Sequence, residues 1–244
     1  MTNLVLIILV ALVKALGGGG LVEKEVAKAV EQALGDKVKG VNVQISADPA
    51  TFVAKGKIKG IVFILEDFDV DPIVIETTKI SIDGLKMNTK DAILGKDAKI
   101  KEIGPASWEL VIGVNQLTAA VREKAPLIES PYFRTVGNQL EFTGSYRLNK
   151  YISVPFKARG RLRAVSGKRV MLDLTHMDVS GLGIPSGIKG MVEKEVNPLL
   201  DVDKLMAGKR EEIAAYEMTL NRELNPFIDE ITIGDGKIVG TGTI

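Results

Sequence analysis

Asp67, Asp69 and Asp71 stand at alternate positions, a spacing that in a tight loop can turn several oxygens onto a hard cation. An EF-hand loop counted from Asp67 requires Gly where Pro72 stands and Glu where Thr78 stands, so that motif is absent. On an extended strand the same spacing lines one solvent-facing side. The run Gly181-Leu182-Gly183-Ile184-Pro185-Ser186-Gly187 precedes a helical pattern, where backbone N–H groups can hold phosphate. The dinucleotide fingerprint, however, wants Gly or Ala at Ser186 inside a βαβ unit, and Lys189 comes too late for a Walker A loop. A turn with Pro185 near the helix start is the simpler reading. His176, the one histidine, lies near Asp173 and Asp178, with Ser180 and Ser186 close in sequence. No Gly-x-Ser-x-Gly elbow accompanies it, and an isolated strand histidine is ordinarily a packing or surface residue. Without cysteine there is neither a thiolate metal site nor a thiol nucleophile. The expectation is a protein with no catalytic residue, no metal and no cofactor.

The apolar residues allow a different chemistry. Trp108, Phe52, Phe63, Phe68, Phe133, Phe142 and Phe156 either fill a core or line a pocket. A long curved sheet with one apolar face and few helices to cover it can leave a cavity suited to acyl chains. The candidate ligand-contacting residues are Val26, Val30, Phe52, Phe63, Trp108, Leu110, Leu117, Val121, Phe142 and Phe156. Lys157, Arg159, Arg161 and Arg163 fall on one face of a strand, either as a surface for anionic lipid heads or as a solvated face.

The elements that would position these residues follow from periodicity. Residues 21–34 carry Val22, Val26, Ala29, Val30, Ala33 and Leu34 on one helical face, with Gly35 as its stop. Val41, Val43 and Ile45 then alternate as a strand, and Asp48-Pro49 marks a turn or loop. Strands are expected over 58–65, 73–82, 100–103, 107–112, 139–148, 151–165 and 169–179, with Pro155 placing the sixth of these at an edge or bulge. Helices are expected over 115–124 with Asn115 as N-cap, 186–196 and 208–224, and a hairpin closes the chain from 228 to 244. The fold class is α+β: a long, curved, mostly antiparallel sheet wrapping an N-terminal helix, with a few further short helices.

Among 244 residues, 32 Lys plus Arg face 31 Asp plus Glu, a balance that argues against nucleic acid as a partner. Hydrophobic residues at 45% support a single core of this size. Residues 4–13 form an unbroken apolar run, too short for the roughly 20 residues of a spanning helix. It reads as an export signal or membrane anchor over residues 1–20, ahead of one domain over 21–244. The alternative is a buried N-terminal helix: no Lys or Arg precedes the run and no clean cleavage site follows it.

Several landmarks occur in a familiar order. They are the helix from Val22 to Leu34, Val41-Asn42-Val43-Gln44-Ile45, Asp48-Pro49-Ala50, Gly56-Lys57-Ile58-Lys59-Gly60-Ile61 and Ser81-Ile82-Asp83-Gly84-Leu85. Val114-Asn115-Gln116-Leu117-Thr118, Gly183-Ile184-Pro185, Val196-Asn197-Pro198-Leu199 and Ile231-Thr232-Ile233-Gly234-Asp235-Gly236-Lys237-Ile238 follow. In these the chain resembles the LmeA-like phospholipid-binding family over most of residues 22–242, with 208–224 as an extra helix. The resemblance implies a tubular-lipid-binding-like fold, an extracytoplasmic, membrane-associated location, and a phospholipid or similar acyl-chain lipid as partner, in envelope lipid transport or maintenance. It carries no catalytic residues. A structural envelope protein with a filled core and a protein partner stays open beside it.

Overall fold

A two-residue alternation of buried and exposed side chains runs through most of the chain and sets its architecture. The computed structural model describes residues 8, 11, 12, 23–88, 100–179, 187–201 and 226–244. The expected helix over 208–224, the 181–186 loop with Ser180, and most of the N-terminal apolar run lie outside them. Ile8, Ala11 and Leu12 are described; they are helical and buried in the core. No helix among the described residues is long and apolar enough to cross a membrane.

Strands β1 (Gly40–Ser46), β3 (Gly60–Asp69), β4 (Val74–Ile82), β7 (Ala106–Gly113), β14 (Lys237–Thr243) and β13 (Phe227–Gly234) form a six-stranded sheet in that spatial order. Every adjacent pair in it is antiparallel. Its register sets Val43, Phe63, Ile80, Trp108 and Gly242 side by side, so one apolar row crosses five strands. Gly242 completes the row by being small: a Cβ there would lie 2.3 Å from the Trp108 ring and 1.9 Å from the Phe227 carbonyl oxygen. A second sheet runs β12 (Leu200–Asp201), β11 (Arg169–Val179), β10 (Ser153–Val165), β9 (Gln139–Arg147) and β8 (Ile128–Val136), and β2 (Lys57–Ile58), β5 (Leu85–Met87) and β6 (Ile100–Ile103) make a small third. The second sheet turns Leu140, Phe142, Val154, Phe156, Leu172 and Leu174 inward. Phe133 stacks on Phe142 at 4.2 Å between ring centroids, and Phe156 meets Phe142 edge-on at 5.1 Å. β13 packs against β8, β9 and β10, joining the two large sheets around one core.

Among the described residues four helices with complete spans cover this frame. α1 (Glu23–Leu34) buries Val26, Val30 and Leu34 and packs on β1. α3 (Val114–Lys124) packs on β8 and α4 (Ile188–Val196) on β11. α2 (Pro49–Lys55) replaces the turn or loop expected at Asp48-Pro49. Asp48 is its N-cap, accepting from Thr51 N at 2.7 Å, and Gly56 closes it in the left-handed region. The α+β class of mostly antiparallel, curled sheets with an N-terminal helix therefore holds. Two further local expectations change. Gly113, not Asn115, is the N-cap of α3, and Asn115 Oδ1 accepts from the adjacent Gln116 N. The strand expected over 58–65 breaks at Lys59 and restarts as β3.

Candidate functional site

On α3, Leu117, Ala120, Val121 and Lys124 fall at helical spacing on one side, and that side forms a wall of a cleft of about 370 Å³. The β3–β4 turn (Val70, Asp71, Pro72, Ile73) makes a second wall, and the segment from Glu195 to Asp201 a third. This last wall is fastened to β11 by side chains standing in for a missing strand. Asn197 Oδ1 accepts from Leu172 N at 2.7 Å, its Nδ2 donates to Leu172 O at 2.9 Å, and Glu193 Oε1 accepts from Leu174 N at 2.9 Å. Leu199 N then donates to Val170 O and β12 takes up the pairing.

Ile73, Leu117, Leu199 and Leu200 also border a smaller chamber of about 40 Å³, so cleft and chamber share one wall. Trp108, Leu110 and Ile112 of β7, Leu162, Val170, Ile228, Ile231, Ile238 and Gly240 complete the chamber, with no charged residue among them. The arrangement grades from a polar mouth to an apolar end. At the mouth stand Asp71, Lys124, Glu195 and Asp201, the last engaged by Arg169 at 3.2 Å. Two polar atoms on the inner face of the large sheet, Trp108 Nε1 and Thr78 Oγ1, are buried without a hydrogen-bond partner among the described residues. Leaving such a group unpaired costs about 1–3 kcal/mol.

The candidate residues divide between cleft and core. Trp108, Leu110, Leu117 and Val121 line the cleft or its chamber. Val26, Val30, Phe63, Phe142 and Phe156 are buried elsewhere in the core, and Phe52 is half-buried on α2. Ile73, Ala120, Val170, Leu199, Leu200, Ile228 and Ile238 belong to the site without having been singled out. Only Ala120, on the helical stripe of Leu117 and Val121, carried a signal in the sequence.

Lys157, Arg159, Arg161 and Arg163 lie on the outer face of the second sheet, opposite its buried side. Lys157 and Arg159 both reach Glu141, at 3.2 and 3.1 Å, as does Arg134 from β8. Glu141 is only 2% exposed. Burial pushes its carboxyl up, but hydrogen bonds from Arg134, Arg159 and Lys157 outweigh this and hold it below the usual range. Arg163 pairs with Asp173 at 2.6 Å, and Arg161 has no ion pair among the described residues.

The carboxylate triplet does not converge. Asp67 pairs with Lys39 at 2.7 Å, Asp69 accepts from Asp71 N, and Asp71 lines the cleft mouth. No group of three or more acidic or histidine side chains among the described residues is placed to hold a metal ion. His176 lies exposed on the outer face, 3.1 Å from Asp178.

The described residues thus form a curled, mostly antiparallel α+β frame in which a cleft with charged lining residues adjoins an uncharged chamber. A family model for LmeA-like phospholipid-binding proteins matches residues 13–216, and the chain belongs to that family. No curated protein and no solved structure matches it. Membership points to lipid binding.

Proposed function

We propose that the chain binds phospholipid non-enzymatically, placing acyl carbons along α3 and the head at the mouth beside Asp71, Lys124 and Glu195. It works at the outer face of a membrane, in envelope lipid transport or maintenance. The observation that carries this reading is the shared wall of Ile73, Leu117, Leu199 and Leu200, which continues a polar mouth into an uncharged chamber. The cleft volume falls within the roughly 300–1,000 Å³ common to ligand sites. Each buried methylene contributes about 0.8 kcal/mol, so a partly inserted chain supplies enough drive without polar chemistry.

The chamber is little larger than one water's share of the liquid, about 30 Å³. A chain that passes Leu117 must therefore displace side chains around Trp108. That tightness is also what favours the second reading, a structural envelope protein with a filled core and a protein partner. Native mass spectrometry of the full chain, gently extracted from a membrane source, separates the two. Lipid adducts released on activation are expected; a uniformly apo mass contradicts lipid binding.

A further inference from the structure

The β9–β10 hairpin ends in a tip whose apolar side chains have no cover. Tyr151 is 81% exposed, Ile152 48% and Leu148 43%. The tip is nonetheless rigidly built. Asn149 Oδ1 accepts from both Tyr151 N and Ile152 N, at 2.8 and 3.0 Å, and Leu148 N donates to Ile152 O at 3.0 Å. Such order at a turn carrying three large exposed hydrophobic residues points outward, to something that covers them. The charges say what. Residues 147–152 include Arg147 and Lys150 and no acidic residue. Lys150 Nζ lies 4.7 Å over the Tyr151 ring, and Arg147 is held by Glu129 across the sheet. An aromatic and two aliphatic side chains at an apex, with cations at its shoulders, match the depth profile of a bilayer with anionic heads: hydrocarbon beneath, phosphate above.

The position of the tip fits the same assignment. Arg147 N donates to Leu127 O at 2.8 Å, and Leu127 stands three residues beyond Lys124, which lines the cleft mouth. Tyr146, the preceding residue, is close enough to Glu195 of the mouth to feel its charge. Lys124 and Tyr146 thus lie toward the tip's end of the second sheet, whereas Arg169 and Asp201 of the cleft, like the β8–β9 turn at Asn138, lie toward its other end.

We infer that the Leu148–Ile152 tip is a membrane-insertion loop that seats its end of the second sheet, and with it the Lys124 side of the cleft, against an anionic bilayer. This rests on the lipid-binding reading for its purpose, but its test does not. The chain has no cysteine, so one dye site can be introduced at will. The full chain as Lys150→Cys and, separately, as Asn138→Cys carries an environment-sensitive dye and is mixed with phosphatidylglycerol–phosphatidylcholine vesicles. The dye at 150 is expected to shift to the blue and brighten while the dye at 138 does not. Leu148→Ser/Tyr151→Ser/Ile152→Ser changes only exposed side chains and is expected to sediment with these vesicles at least about tenfold less than wild type. Dyes that stay in water at 150, or respond equally at both positions, overturn the proposal. Vesicle binding unchanged by the triple substitution does so too, and either result leaves the tip to a protein partner. Lipid adducts in the mass spectrum, measured separately, show whether the cleft reading survives such a failure.

Discussion

Ala120 offers the most direct way to obstruct the cleft without touching its polar mouth. It sits on α3 between Leu117 and Lys124, 5% exposed, on the side that faces the cleft. In Ala120→Phe the ring projects into the open space, where about 370 Å³ gives it room that a close-packed core would deny. Overpacking there is accordingly expected to cost under about 1 kcal/mol in a urea titration. Ligand binding changes far more. A ring at this height keeps an acyl chain from reaching Leu117 and the chamber beyond. Excluding four methylenes at about 0.8 kcal/mol each removes about 3 kcal/mol, roughly a hundredfold in Kd. Isothermal titration with a short-chain phosphatidylglycerol below its micellar concentration reads the loss. If Ala120→Phe keeps wild-type stability and wild-type affinity, the lipid lies elsewhere and the assignment of this cleft is refuted.

Glu141→Gln retains the shape of the buried side chain but removes the charge that faces Arg134, Lys157 and Arg159, and is expected to cost about 1–3 kcal/mol at neutral pH. Because the folded carboxyl titrates below its ordinary 4.5, this stabilisation is present above that pH and is lost as pH falls through the depressed value. Urea titrations at pH 7 and pH 3 should therefore show the gap between wild type and variant closing in acid; a gap of constant size would contradict the ion cluster. Asn197→Ala deletes two hydrogen bonds to Leu172 and should cost about 2 kcal/mol, with faster amide exchange at Leu172 than at Leu140 as the local signature. Gly242→Ala sets a methyl against the Trp108 ring and the Phe227 carbonyl, and is expected to destabilise by about 1–3 kcal/mol while shifting the tryptophan emission.

Much of the frame could be read from period alone, since Arg169–Val179 and Ile100–Ile103 appear at their expected limits and the closing hairpin within a residue or two. The failures have local causes. Asp48-Pro49 punctuates the chain as a turn would, yet the same two residues make an N-cap and a first helical position. Pro155 was expected at an edge or bulge. Among the described residues β10 is bordered on both sides over most of its length, its pairing with β11 starts at Phe156, and Pro155 pairs with Ser145 of β9. The cleft was only half legible. Leu117 and Val121 announce themselves by helical spacing, and Trp108 and Leu110 by strand alternation. Ile73, Leu199, Ile228 and Ile238 meet them only through the sheet order, which no local pattern carries. Glu141 is the sharpest case. It reads as an ordinary surface acid until the register sets Arg134 and Arg159 directly across from it, and the apparent basic stripe then proves partly neutralised.

Trp108 is the only tryptophan, it is 4% exposed, and it lines the apolar chamber at the inner end of the cleft. Titrating the full chain with a phospholipid brominated along its acyl chains therefore asks the central question at one defined position. Acyl insertion predicts saturable quenching of Trp108 at about one lipid per chain, abolished by Ala120→Phe. Emission that stays constant while lipid is demonstrably bound would place the tail outside the chamber and contradict the account.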